Sequence, residues 1–410
     1  MSNSIWSVGS KIQIPQYEKL KQIKKADVTI VGGGLCGILC AYFLKDTGVK
    51  CILLEENRIG EGEISNAMAQ VTSQHGIMYS QLMETHGKEM AAMYLQANQT
   101  ALMKYKELSE SIACDFEEKS SYVYSKENRN KIEKEVLAAN MLGMKAEFAD
   151  TPDLPFETVG AVHFPNQAQL NPKKLIAGLM KEVDASKDIQ IYEGMKVDEW
   201  MKGTTWSEIH ATIPQNIICA SHFPFYNKAG QYNSKLYKES AYIVALEGVE
   251  QLNGMYADEK KTGLQLRSYG DLLLMAGGVC RIGKRSRGQG WNQLKRAAEQ
   301  YYPAATEKAH WEVQECMSVD GIPYIGAYSG KTPNLYVATG FNGWGMTLAM
   351  SSALLLTDII LNGEKGKGAT ETYPWGEVFY PGRKVLLPQY IFTAKEGLLK
   401  MLTSGLKNRK

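Results

Sequence analysis

Gly32, Gly34 and Gly37 stand at the spacing G-x-G-x-x-G, with Glu55 following them roughly 20 residues on. That pattern suits a dinucleotide whose two halves are joined by a pyrophosphate. Gly32 permits a tight turn, Gly34 lets the backbone approach the phosphates, and Gly37 lets a helix pack closely on a strand. The amides of Leu35 and Cys36, at the positive end of that helix, would face the phosphate charge. Glu55 would accept hydrogen bonds from the adenosine ribose, with Glu56 and Arg58 beside it. The stretch from Gly60 through Gly62 to Ser65 is glycine-rich and ends in a hydroxyl. It could follow an extended cofactor, and an ordinary surface loop is its competing reading.

The elements around these residues make the pattern specific. Residues 27–31 are Asp-Val-Thr-Ile-Val, which predicts a buried strand. The apolar run from Ile38 to Leu44 predicts a helix, ended by Gly48. Cys51 to Leu54 predicts a second strand, which delivers Glu55. A lone glycine motif is weak, but one set between strand, helix and second strand is a dinucleotide site.

Composition sets the outer limits. The chain has 410 residues, enough for two or three domains. Its 46 basic and 44 acidic residues leave a formal charge of +2, so no overall excess favours a nucleic-acid backbone. Lys284, Arg285 and Arg287 form one local basic patch. The N-terminus lacks the apolar run of a signal peptide. Residues 348–361 are the most apolar stretch, and they read as a buried helix rather than a membrane span. Seven cysteines, an odd number, argue against a disulfide scaffold. The expected compartment is the cytoplasm.

Three blocks together carry a resemblance. The first is the V-x-I-V-G-G-G-x-x-G start, with Leu-Leu-Glu at 53–55 and the loop to Ser65. The second is Asp320-Gly321-Ile322-Pro323-Tyr324-Ile325-Gly326. The third runs from Ala338-Thr339-Gly340 through Gly343-Trp344-Gly345-Met346-Thr347. The chain resembles the FAD-dependent oxidoreductases typified by D-amino acid oxidase, glycine oxidase and sarcosine oxidase. The resemblance implies bound FAD. It places Gly326, Gly340, Gly343, Trp344, Gly345, Met346 and Thr347 in the flavin site, with Val197 near the adenine and Ala220 ending a central strand. Thr72 to Gly76, Ser221 to Phe225 and Leu266 to Tyr269 resemble a bacterial branch that carries a C-terminal Rieske domain. A Rieske centre needs two cysteines and two histidines. These 410 residues have no cysteine after Cys316 and no histidine after His310, so that cluster is not expected in them.

The implied fold class is α/β: a Rossmann-like, glutathione-reductase-type FAD-binding domain, discontinuous, with an inserted mixed-sheet α+β substrate domain. The expected division is an arm over 1–24, the FAD domain over 25–80, 155–225 and 315–368, the substrate domain over 81–154 and 226–314, and a C-terminal arm over 369–410. Helices are expected over 79–112, over 128–142, after an Asn171 cap with Pro172 in the first turn, and over 291–302. Strands are expected at 121–124, 160–165, 189–194, 216–220, 242–246, 264–267, 272–276 and 335–338.

FAD would take the hydride, so no protein nucleophile is needed. His75 is the first candidate for proton handling, against the plainer reading of a structural histidine. His222 is a second. Arg267 and Arg281 are candidates to clamp a substrate carboxylate. Tyr269, Asn342 and Trp344 could line the pocket. Sarcosine oxidase tethers its flavin through a cysteine seven residues before the matching aspartate. Cys316 lies four before Asp320, so FAD is expected to be non-covalent and no metal is expected. The expected reaction is oxidation of a small amine or amino acid, with oxygen or a separate redox protein as acceptor. The alternatives are a 2-hydroxy acid dehydrogenase and a non-catalytic flavin-holding electron-transfer subunit.

Overall fold

The computed structural model describes residues 3–8, 11–150, 152–201, 204–207, 211–225, 230–282 and 288–385. The basic patch at Lys284, Arg285 and Arg287 lies outside these residues.

Two sheets organise the chain. The first follows the order Tyr324–Ala327, Leu335–Thr339, Ala211–Cys219, Lys24–Val31, Cys51–Leu54, Ile189–Tyr192, with the hairpin Val197–Met201 and Thr204–Ser207 attached to it. Its central strands are parallel and buried on both faces, which is why they read as apolar runs rather than alternations. The register sets Val31 beside both Leu54 and Cys219. Three strands therefore stop level with one another, and the crevice beyond their carboxyl ends is where this architecture binds ligands. Leu35–Leu44 and Gly345–Asn362 pack on one side, both largely buried. Gly345–Asn362 is long and apolar enough to cross a membrane, but 78% of its apolar window is buried inside the protein, as in a core helix.

The second sheet runs Thr306–Ser318, Leu236–Glu247, Leu272–Arg281, Gln265–Tyr269, Gly254–Asp258, Glu117–Ser125, Gly160–Gln169, Gln70–Val71, with Glu147–Ala149 on its flank. It is antiparallel except where Gly254–Asp258 joins Glu117–Ser125. One face forms a wall opposite the crevice.

The one or two helices expected over 79–112 are two, Tyr79–His86 and Lys88–Ser109, broken at Gly87 where φ is 87°. The Asn171 cap forms as expected: its Oδ1 accepts from the amides of Lys173 and Lys174 at 3.0 and 3.1 Å. The strand expected at 160–165 continues to Gln169 and belongs to the second sheet, not to the FAD domain. Pro165, which has no N–H, ends a strand only if it must pair there. Here the register against Glu117–Ser125 shifts between Lys119 and Ser121, and Asn166 adopts φ 56°, so a bulge accommodates it. The second sheet also gains Gly254–Asp258 and Thr306–Ser318, neither of which was expected.

Candidate functional site

The Lys24–Val31 strand turns into the Leu35–Leu44 helix through the glycine motif. Gly32 has φ 112°, and a Cβ there would lie 2.5 Å from the Ala220 carbonyl oxygen. A Cβ on Gly37 would lie 1.9 Å from the Gly32 carbonyl oxygen. Both contacts require bare backbone. A Cβ on Gly34 would meet nothing within 4 Å. Gly34 caps the helix without any side-chain hydrogen bond, and the first turn holds no acid. The amides that a helix start leaves unpaired are thus open to an anion. Glu55 accepts from the Gly33 amide at 2.6 Å and the Asn57 amide at 2.7 Å. Burial raises its pKa, and these two amides oppose the rise. Each oxygen keeps a lone pair for a ribose hydroxyl.

A cavity of about 830 Å³ starts at this turn. It is lined by Gly32, Gly34, Leu35, Cys36, Glu55, Glu56 and Gly62, then by Val197, Ala220 and His222, then by Gly340, Gly343, Trp344, Gly345 and Met346. Its far wall is the face of the second sheet, including Ala241, Ile243, Gln265, Ala276, Val313 and Glu315. The two late glycine-containing segments are tied together by Asn342, whose Nδ2 donates to the Gly321 carbonyl at 2.9 Å and whose Oδ1 accepts from the Ser318 amide at 2.8 Å. The residues fit a flavin dinucleotide on two counts. The uncapped glycine turn leaves open space for phosphate, and the buried His222 Nε2 on the cavity wall has no hydrogen-bond partner. Burial lowers the His222 pKa to about 4, so it is a neutral imidazole awaiting a polar group.

His75 lines the cavity and stacks on Trp344 with ring centroids 4.9 Å apart. Its Nδ1 accepts from Tyr94 Oη at 2.7 Å, and its Nε2 donates to the Thr72 carbonyl at 2.9 Å, a tautomer assigned from the carbonyl's being only an acceptor. Burial drives its pKa down to about 3. Both nitrogens are committed and the ring is neutral, so His75 braces Trp344 rather than relaying protons.

Several expected residues stand elsewhere. Arg267 does not line the cavity. It is fully buried, lies over the rings of Trp6 and Tyr269 at 5.6 and 5.7 Å, and its three guanidinium nitrogens have no hydrogen-bond partner. Tyr269 is also off the wall, bonded through Oη to Asp115 at 2.6 Å and Asn171 at 2.7 Å. Arg281 lies over the Tyr237 ring at 4.4 Å and pairs across strands with Glu239. Both arginines sit on inward-facing strand positions, but the N-terminal Trp6 covers Arg267 and Tyr237 holds Arg281. Among the described residues the cavity wall carries no arginine. Arg58 turns away to Glu193 at 3.2 Å, and Ser65 Oγ bonds to the Glu61 and Gly62 carbonyls at 3.0 and 2.9 Å. Thr347 Oγ1 donates to the Thr72 carbonyl at 3.1 Å behind His75, and Gly326 packs near Pro381. Cys316 lines the cavity, with burial pushing its thiol up to about 11.

Six acidic residues on the wall were not foreseen, Glu63, Glu84, Glu239, Asp258, Glu259 and Glu315, and of these Glu63 and Glu239 act electrostatically on Glu315. In Thr306–Ser318 the inward positions are Ala309, Trp311, Val313 and then Glu315. The signal was an acid at the next step of an apolar alternation.

Residues 27–359 match the protein family described as FAD dependent oxidoreductase. The chain is 30% identical over 413 residues to the putative Rieske 2Fe-2S iron-sulfur protein YhfW of Bacillus subtilis, across 96% of this chain and 78% of that relative. Glycine oxidase from Geobacillus kaustophilus has the same fold, with a TM-score of 0.71 at 20% identity over 88% of this chain and 100% of that one. L-proline dehydrogenase from P. horikoshii gives 0.70 at 14% identity, over 87% and 98%.

Proposed function

The chain belongs to the FAD dependent oxidoreductase family, and from that premise we propose that it oxidises the carbon–nitrogen bond of a small amine or amino acid. The observation that carries this reading is the single cavity running from the glycine turn to the face of the second sheet. One end suits a dinucleotide and the other leaves a walled space for a small molecule. The relatives of like fold, a glycine oxidase and an L-proline dehydrogenase, are named for substrates with such a bond.

FAD supplies the hydride acceptor when bound. The chain's own residues do the rest. Gly32 and Gly34 with the first helical amides hold the pyrophosphate, and Glu55 takes the ribose. His75 fixes Trp344 in the wall. Ala241, Ile243, Ala276 and Val313 present an apolar face that excludes water from the reacting carbon. The raised pKa of Cys316 supports non-covalent FAD. The acceptor that restores the enzyme is proposed to be oxygen or a separate redox protein, which oxygen uptake during turnover distinguishes. Free thiols at all seven cysteines support the cytoplasm as the proposed compartment.

The test is anaerobic mixing of the FAD-loaded protein with a panel of amines, amino acids and 2-hydroxy acids. Bleaching of the flavin band by amines or amino acids is expected. Bleaching by 2-hydroxy acids alone, or by none of the panel while dithionite still reduces the protein, overturns the reading.

A further inference from the structure

We infer that the cavity takes a cationic amine without a carboxylate, and that Glu315 is the residue that holds its ammonium on the wall. This rests on the function proposed above and narrows its substrate class.

Charge on the wall is the first ground. Glu315 and Glu239 are directly opposed on adjacent antiparallel strands, so both project from the same face. Glu63 joins them from the turn Glu63–Asn66, where it accepts from the Gln314 amide at 2.8 Å. All three line the cavity. Two carboxyl groups opposed in this way cannot both ionise without repulsion, and a cation between them relieves it. A carboxylate substrate would meet this face with no arginine among the described lining residues to receive it. The nearby cations are occupied or peripheral. Arg281 covers Tyr237 beside Glu239, and Lys238 lies over the Phe223 ring at 5.1 Å. Lys260 and Lys261 are lining residues: Lys260 pairs with Glu127 at 2.6 Å, and Lys261 acts electrostatically on Glu239 rather than on Glu315.

The position of Glu315 is the second ground. It follows Val313 along the apolar wall and accepts a hydrogen bond from the Gly343 amide, in the loop that carries Trp344. It therefore joins the substrate sheet to the flavin segment. The cavity that it faces also holds the unpartnered His222 Nε2, an independent mark of a ligand there. Burial, reinforced by the negative charges of Glu63 and Glu239 and opposed by the Gly343 amide, brings the Glu315 pKa up to about 8. At neutral pH it carries a proton. A cation arriving beside it favours the carboxylate and displaces that proton to solvent.

The same group balances the chemistry. The bound ammonium returns a proton to the Glu315 carboxylate, giving a neutral amine with a nitrogen lone pair. With FAD bound as the hydride acceptor, loss of hydride from the adjacent carbon would turn the C–N single bond into an iminium. Water converts the iminium to a carbonyl compound and releases the nitrogen as ammonium or a smaller amine.

Calorimetric titration of the FAD-loaded protein with tetramethylammonium at pH 7 tests the assignment without turnover. Repeating it in buffers of different ionisation enthalpy counts protons. Release of about one proton per cation bound is expected. Glu315→Gln should abolish that release and weaken binding about tenfold or more. Glu239→Gln, which removes one of the lesser causes of the raised Glu315 pKa, should weaken binding and keep part of the release, which guards against a variant that merely misfolds. Acetate binding more tightly than tetramethylammonium, or Glu315→Gln still releasing a proton, overturns the inference. Anaerobic bleaching by glycine or L-proline but not by butylamine overturns it too, while leaving the proposed function standing. No bleaching by any of them strikes at the function itself.

Discussion

Adding one methyl group at two neighbouring glycines should have separable effects. In Gly37→Ala the new Cβ would start 1.9 Å from the Gly32 carbonyl oxygen. An ordinary carbon–oxygen contact is about 3.3 Å or more, so the helix must leave the strand. Overpacking of this kind costs about 1–3 kcal/mol. The apo protein should melt several degrees lower, and FAD should bind about 5- to 150-fold more weakly. In Gly34→Ala the Cβ meets no protein atom and φ is −78°, so the backbone is unstrained. The loss of a preferred cap costs the apo protein no more than about 1 kcal/mol. That Cβ points into the space assigned to phosphate, so FAD affinity should fall at least about tenfold. Quenching of FAD fluorescence gives the affinities, and calorimetry of the apo proteins gives the stabilities. Unchanged FAD affinity in Gly34→Ala would refute the phosphate placement. Unchanged melting of Gly37→Ala would refute the close helix–strand contact.

Burial holds His75 near a pKa of about 3, against 6.5 when unfolded, so the unfolded chain binds the extra proton. Stability is thus full above pH 6.5 and lost as pH falls toward 3, with a slope approaching about 1.4 kcal/mol per unit from this residue. His75→Gln should flatten the dependence in acid melts, and an unchanged slope counts against it. Arg267 is an unbonded cation in the interior, so Arg267→Met should melt at the same temperature or higher. A fall of more than about 3 °C, roughly 1 kcal/mol, contradicts that. Arg383 binds both oxygens of Asp320 at 2.8 and 3.0 Å and donates to the Ile322 carbonyl at 2.6 Å. Arg383→Ala strands a buried carboxylate at the cavity edge, so melting temperature and FAD affinity should both fall by an amount equivalent to about 3 kcal/mol or more. Affinity and stability equal to wild type would exclude this role.

The strand, glycine turn and helix around Gly32–Gly37 were legible because that geometry is local. Gly32, Gly34, Gly37 and Glu55 lie within one strand–helix–strand unit, and backbone spacing alone defines their roles. The segments around Gly321 and Gly340–Met346, which line the cavity, were picked out through resemblance. The substrate wall was not, because it is assembled across strands far apart in sequence. Glu239 and Glu315 meet only through pairing of Leu236–Glu247 with Thr306–Ser318, and the second of these strands was missed. Arg267 shows the opposite limit. An arginine on an inward strand position suggests a clamp, but the sequence gives no warning that Trp6 from the N-terminal arm covers it. The Pro165 bulge misled for a related reason. A proline predicts a strand end unless the partner strand shifts its register, and the partner's register is not a local property.

A crystal structure of the protein grown with FAD tests the account at its root. The pyrophosphate should lie within hydrogen-bond distance of the Leu35 and Cys36 amides, with the ribose on Glu55 and the flavin ring in the cavity bounded by Trp344, His222 and Glu315. FAD bound anywhere else, or a protein that takes up no FAD at all, would contradict it.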